Sequence, residues 1–287
     1  MEKNIFKFGN SSLAIIVPKK WTEKHGVKAG SSITVNEDSA GNLIFSAHRN
    51  AEVEAVKIIS RSTDPYFIWR WVGLYYRFGI NKLELVSKDG FSPEQISALK
   101  DQIEQYSPGF EIMNQTAIRI TVEDLTKQKD MDVDRMISRM RSLVLEGFRE
   151  IITGEYETMT DTEALLNRFY QLCLRYINIV QPPNMLKYFR AVESMEEIGD
   201  LLTKIAKEYR YNKTLNPLLV RSQEAFSLSK MAFEGDEKAI SSIYELKKEL
   251  QYKKRGKIGR GEELIEEILK YINYIAEFGL TVESGKE

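Results

Sequence analysis

The chain has 287 residues, enough for about two domains or three small ones. Its 41 basic and 42 acidic residues nearly cancel, so a nucleic-acid-binding surface would have to be a local patch rather than a property of the whole protein. The single cysteine, Cys173, excludes an intrachain disulfide and a cysteine-based zinc site. No signal peptide begins the sequence and no apolar run approaches the roughly 18 residues of a membrane span, so we expect a cytoplasmic protein.

Residues 1–47 predict four short strands and one small helix. The strands are expected at 4–8, 13–17, 33–35 and 43–45, with a turn cluster at 9–12 and a hairpin turn at 39–42. Pro18 opens the helix, where its missing N–H is not needed, and Gly26 closes it. These elements are too few to bury the apolar surface that ordering about 47 residues requires, so we expect a second copy of the chain to complete their core.

The run from Lys7 to Trp21 is KFGNSSLAIIVPKKW, and GVKAG follows at residues 26–30. This pattern resembles the swapped-hairpin module of AbrB/MazE-type (SpoVT-AbrB) regulators. His25 departs from it, since that family commonly has an apolar residue before the glycine. The resemblance implies an obligate homodimer in which the hairpins of two chains interleave into one β-barrel, and it implies DNA binding.

The charge of this segment is compatible with DNA binding. Six lysines against four acidic residues leave an excess of two positive charges in residues 1–47, or four in a dimer. Lysines gathered across a two-fold axis could follow DNA phosphates, whereas composition alone favours a merely solvated face. Arginine is absent from residues 1–47, so the bidentate guanine contact is unavailable and the turn would have to read the bases. The predicted DNA contacts are the lysines near the first strand and the helix start, and the polar turn residues: Lys3, Lys7, Asn10, Ser11, Ser12, Lys19 and Lys20.

Residues 51–124 predict a small α/β domain. Strands are expected at 53–59, 82–87, 110–113 and 117–122, and helices at 65–78 and 93–106. Asp64 and Ser92 are the N-cap residues, each followed by a proline at the first helical position. The β-α-β-α-β-β order predicts a two-layer sandwich. The sequence contains no glycine-rich phosphate loop, so nucleotide hydrolysis has no support.

The first helix of this domain carries the aromatic residues Trp69, Trp71, Tyr75 and Tyr76. They could form a base-stacking or ligand-binding surface. Their mixed spacing along one helix favours the alternative, in which they pack on the sheet or on a neighbouring subunit.

From about residue 130 to residue 282 the apolar pattern is helical throughout. Helices are expected at 130–154, 160–180, 184–211, 215–234, 236–254 and 261–280. Residues 196–207 match residues 266–277, and residues 154–157 match residues 235–238. These matches predict two three-helix repeats, at about 130–211 and 215–282, within a domain that spans 130–287.

The segment MEEIGD at residues 195–200, with IAK at 205–207, is similar to the signature of PhoU proteins. This resemblance implies two three-helix repeats and a role in controlling phosphate uptake and phosphate signalling. In archaea PhoU-like regions occur behind an AbrB-like module, often with a small α/β stretch between them, which is the order of elements here. The resemblances together imply an archaeal-type regulator of multidomain α+β fold: a dimeric swapped-hairpin barrel, a small α/β domain and a pair of three-helix bundles.

PhoU bundles carry E-x-x-x-D motifs that hold iron or zinc clusters, and two carboxylates at positions i and i+4 can face one cation. The Glu196/Asp200 pair keeps this motif intact. The implied site for a Zn, Fe or Mg ion consists of Glu163, Asn167, Glu196 and Asp200, with Asn167 where a second acid is expected. The alternative is a chance acid pair that binds no metal.

Two further pairs occupy comparable positions. Glu266 is followed by Lys270, which places an ammonium where a metal would lie, and a salt bridge between the two would be a metal-free replacement. Glu245 and Glu249 form an i, i+4 pair on the remaining helix, in a register that the sequence leaves open.

Two classes of function follow. The first is a dimeric transcriptional regulator whose barrel binds DNA and whose helical bundles sense phosphate status, a metal or a partner. The second is an adaptor that dimerises through the hairpins and docks onto a phosphate transporter or a signalling kinase without binding DNA. An enzyme has the least support, because neither His25 nor His48 has a nucleophile at a suitable spacing.

Overall fold

The computed structural model describes residues 5–9, 12–37, 43–46, 56–60, 62–126, 132–182, 184–210, 213–252 and 259–280. The fold is mixed α+β, and the chain divides into two compact units, residues 1–54 and 55–287. The α/β and helical regions predicted at 51–124 and 130–287 therefore lie mainly in one unit. No helix among the described residues is long and apolar enough to cross a membrane.

The first unit contains two hairpins and a short helix, in the predicted order. Strands β1 (Ile5–Phe8) and β2 (Ser12–Ile15) form one antiparallel pair, and β3 (Thr34–Glu37) and β4 (Leu43–Ser46) form the other. Helix α1 (Lys19–Lys24) lies between them in sequence. His25 is its C-cap, and Gly26 follows with a left-handed φ of 65° while the N–H of Val27 donates to the carbonyl of Thr22 at 2.9 Å. The described strands of this unit form two separate sheets and no closed barrel.

The second unit begins with the α/β sandwich. Its elements are β5 (Val56–Ser60), α2 (Pro65–Arg77), β6 (Lys82–Ser87), α3 (Pro93–Tyr106), β7 (Phe110–Gln115) and β8 (Arg119–Asp124). The sheet order is β5-β6-β8-β7, in which β5 and β6 are parallel and the other neighbours antiparallel. The predicted β-α-β-α-β-β order is confirmed. Both predicted caps form, since the Asp64 side chain accepts from the Tyr66 N–H and Ser92 forms a capping box with Gln95.

The rest of the unit is helical and confirms the six predicted helices. They are α4 (Val133–Thr153), α5 (Met159–Val180), α6 (Met185–Glu208), α7 (Asn216–Phe233), α8 (Glu237–Tyr252) and α9 (Arg260–Glu277). The first three pack on one another, as do the last three, and α4–α7 and α6–α9 contacts join the two groups. One continuous apolar core runs through all six helices.

A fully buried arginine on α5, Arg175, ties the helices to the α/β sandwich. Its guanidinium donates four hydrogen bonds, to the carbonyls of Tyr76 (2.7 Å) and Ile80 (3.0 Å), to Asn81 Oδ1 (2.7 Å) and to Asp124 Oδ2 (2.7 Å). The guanidinium carbon also lies 4.8 Å from the ring centroid of Tyr76 and 5.4 Å from that of Phe110. Both charges of the Arg175–Asp124 pair are buried, so the loss of either one would leave the other as a buried charge without a counterion.

We predict that Arg175→Leu destabilises the second unit by about 3–5 kcal/mol, because Asp124 is then a buried charge without its cation. Urea denaturation of the full chain, followed by far-UV circular dichroism, measures the change. The matched control is Arg149→Leu, which removes a half-exposed partner of Glu155 and should leave the midpoint unchanged. Equal midpoints for the two variants would contradict the importance given to Arg175.

Candidate functional site

The first hairpin separates two of the predicted DNA contacts. Residues directly opposite in an antiparallel pair share a face, so Lys7 lies on the same face as Leu13, and Ser12 on the same face as Phe8. Because side chains alternate along a strand, these two faces are opposite sides of the hairpin. Lys3, Asn10 and Ser11 lie outside the described residues.

In the part of the first unit that the structure describes, no side chain is buried within one chain. Every side chain described between residues 5 and 45 is exposed or half-buried, and both faces of the first hairpin are apolar. Phe8 and Leu13, one on each face, are each 72% exposed. The other large apolar side chains exposed here are Ile5, Phe6, Ile15, Ile16, Val35 and Leu43. Burying one such side chain is worth roughly 1.5–3 kcal/mol, so the unit has a strong tendency to acquire a cover.

Helix α1 presents the remaining predicted DNA contacts. Lys19 and Lys20 begin the helix and are exposed. Lys19 pairs with Glu23 at 3.6 Å, a surface contact that contributes little to stability. The ring of His25, the residue that departs from the AbrB/MazE pattern, lies 5.1 Å from the ring of Trp21 between centroids.

The predicted metal ligands lie on α5 and α6, which pack against each other. Gly199 allows their close approach, since a β-carbon there would lie 2.2 Å from Leu166 Cδ2. Glu163 on α5 pairs with Lys207 on α6, with 3.9 Å between Oε2 and Nζ. The cation nearest to Glu163 is thus a lysine of the same chain.

The α6 side of this region is an acidic face made of Glu193, Glu196, Glu197 and Asp200. Burial, followed by the negative charges of Asp200, Glu197 and Glu193, raises the pKa of Glu196 to about 8, against a smaller lowering by Arg77 of α2.

The pKa values of Asp200, on this face, and of Tyr170, on α5, are raised as well. Burial, then Glu163 and Glu197, raise the pKa of Asp200, and Lys207 lowers it. On α5, burial and then Glu196 raise the pKa of the Tyr170 hydroxyl to about 12. The face is a set of mutually repelling carboxyls, one of which keeps its proton near neutral pH.

A metal centre would need at least three of these ligands around one point. Within the described ranges, no three His, Cys, Asp or Glu side chains come together in a group that could hold a metal ion. Glu163, Glu196 and Asp200 therefore do not form such a group, and metal binding at Glu163, Asn167, Glu196 and Asp200 stays a prediction.

The other two candidate pairs have different surroundings. The Lys270 ammonium lies 5.7 Å and 5.6 Å from the ring centroids of Tyr271 and Tyr274. Glu245 and Glu249 line a groove between α7 and α8, where Glu249 accepts a hydrogen bond from Arg221 at 2.8 Å.

The aromatic residues of α2 divide between core and surface. Tyr76 is fully buried, and Trp71 and Tyr75 pack against the core under the sheet, which agrees with the packing interpretation. Trp69 instead stacks on the exposed Tyr66, with centroids 5.6 Å apart.

Arg175 is the residue that the sequence interpretation missed. It lies in the segment LCLRYINIV, and its neighbours Cys173, Leu174 and Tyr176 are all buried. An arginine inside such an apolar segment was the available signal, because a buried cation requires a partner.

Comparison of the chain with protein-family models, with curated proteins and with solved structures gave no match.

We predict that the protein loses stability as pH rises from 5 to 8, through the half-buried carboxyl of Glu196. Its folded-state pKa of about 8 lies above the ordinary 4.5, so the folded state holds the proton more tightly than the unfolded state. The contribution is complete below pH 4.5 and is lost as pH rises through 8, at no more than about 1.4 kcal/mol per pH unit.

The variant Glu196→Gln mimics the protonated side chain and should flatten this pH dependence in urea titrations. The exposed Glu104→Gln on α3 is the control and should follow the wild type. A Glu196→Gln profile as steep as that of the wild type would show that another group is responsible.

Proposed function

We propose that the chain is a dimeric DNA-binding transcriptional regulator linked to phosphate uptake and phosphate signalling. One observation carries the proposal: the first unit has apolar side chains on both faces of a hairpin and buries none of them within one chain. The AbrB/MazE-like motif at residues 7–30 has the same requirement for a partner, since its hairpins interleave with those of a second copy.

A second copy supplies the cover that the hairpin needs. In the proposed swapped-hairpin barrel, the side chains of Phe8 and Leu13 are buried against the partner chain, while Lys7 and Ser12, in the pairs next to the turn, stay at the edge of the barrel. The gain per large side chain is of the order of a few kcal/mol, which over several side chains outweighs the cost of association. Dimerisation also doubles the number of lysines on the composite surface.

The proposed DNA contacts are Lys7, Lys19 and Lys20 in the described region, with Lys3 beside them in sequence. They are exposed, and an ammonium binds a phosphate as a point charge with little base preference. Base contacts fall to Ser12, Asn10 and Ser11. We therefore expect affinity to depend strongly on salt and only moderately on sequence.

The helical region is proposed to be a PhoU-like sensor. The acidic face of α6 is its most polarised feature, and a Zn, Fe or Mg ion, or a change in protonation, would alter the repulsion among its carboxyls. Arg175 connects these helices rigidly to the α/β sandwich. A change at the face would be allosteric if it altered DNA affinity.

The alternative is an adaptor that dimerises through the hairpins and regulates a phosphate transporter or kinase by protein contact. Two observations favour it: Lys7 and Ser12 lie on opposite faces of the hairpin, and Lys19 is already paired with Glu23. Both features reduce the number of groups that can reach one DNA backbone in a single chain.

Filter binding of mixed-sequence and promoter DNA across a salt series tests the proposal. We predict binding that weakens with salt, and a Lys7→Ala/Lys19→Ala/Lys20→Ala variant whose log–log slope is shallower by about one for each phosphate contact removed.

The matched control is Lys57→Ala/Lys88→Ala/Lys100→Ala, three exposed lysines of the second unit. It should retain the wild-type slope. An absence of binding even at low salt would leave the adaptor as the surviving hypothesis, and an unchanged slope in the first variant would remove these lysines from the interface.

A further inference from the structure

Helix α7 differs in its exposed side chains from α4, its counterpart in the other three-helix group. Every exposed side chain of α4 is polar. On α7, Val220 and Met231 are 38% and 47% exposed, although the other side of the helix, with Leu219 and Phe226, lies in the core. A helix that is apolar on two sides is expected to be covered on both.

Next to this side of α7 is a groove between α7 and α8 of about 700 Å³. Its floor contains Leu228 and Leu246, both half-buried, and its rim contains Arg221, Glu224, Glu245 and Glu249. The α7 lining residues recur every three or four positions, and Met231 continues that stripe. The groove is an apolar channel bordered by charge, in the size range of ligand sites.

The charge on the rim is negative. Arg221 donates to Glu224 at 2.7 Å and to Glu249 at 2.8 Å, so a single guanidinium serves two carboxylates. Glu245 forms no ion pair with the residues that the structure describes. The rim carries one arginine and three glutamates, a formal charge of 1 − 3 = −2. A complementary ligand therefore combines apolar groups with cations.

We propose that this groove binds an amphipathic helix of a partner protein, with leucine-like side chains on Leu228 and Leu246 and a lysine or arginine at Glu245. The two-helix groove with an apolar floor suits helix-in-groove recognition, in which anchors repeat every three or four residues. The Glu245/Glu249 pair then has a function in partner recognition rather than in metal binding. The inference is independent of DNA binding by the first unit.

The probe is a fluorescent peptide of about 15 residues with leucines spaced by three and four and lysines beside them. Titrated with the full-length protein, it should bind saturably in the micromolar range, and binding should weaken with salt. The same peptide with glutamate in place of lysine should not bind.

The variant Glu245→Lys should weaken binding at least about tenfold, because it places like charges together. Glu245 is exposed, so the fold should survive, as thermal denaturation can verify. Met231→Lys is the second variant and Glu104→Lys on α3 the matched control. Hydrogen exchange should show protection by the peptide in residues 221–231 and 242–249.

Several results would overturn the proposal. They are no saturable binding by the wild type, affinity unchanged in both groove variants, an equal loss in Glu104→Lys, or protection confined to other helices. A change in oligomeric state caused by Glu245→Lys would show instead that a second copy of the chain covers the groove.

Discussion

Burial of apolar surface is the constraint on which the account of this protein depends, and its two units meet it differently. The second unit encloses two apolar cores, one under the four-stranded sheet and one along six helices. The described residues of the first unit enclose none within one chain, and Phe8 and Leu13 are exposed on opposite faces of its first hairpin. A hairpin of this composition is stable only when something covers it. The proposed function gives that cover to a second copy.

Within the second unit, the buried Arg175–Asp124 pair determines how the helices and the sandwich are joined. The guanidinium also satisfies carbonyls at the end of α2, so this end cannot separate from α5 without leaving buried polar groups unpaired. Arg77, at the same end of α2, lowers the pKa of Glu196 on the acidic face of α6. The helical region and the α/β sandwich are therefore in direct contact, and the proposed coupling would act through this contact.

Local signals made the elements predictable. The cap and proline at Ser92 and Pro93 predicted α3, and its range matches the structure, as does that of β6, whose apolar residues are flanked by polar ones. Tertiary relations were not predictable in this way. The partners of Arg175 lie at residues 76–81 and at Asp124, both distant from it in the chain. The space at Gly199 is limited by Leu166 of the packed helix, and the α7–α8 groove depends on two helices at once. The DNA-contact prediction rests on the motif, because several of its residues lie outside the described ranges.

Sedimentation equilibrium of the full chain at micromolar concentration tests the requirement for a second copy most directly. The account predicts a dimer, with circular dichroism showing the first unit folded, and a loss of both when Phe8 and Leu13 are replaced by aspartate. A well-folded monomer at that concentration would contradict it, since the exposed hairpin faces would then be stable without a cover.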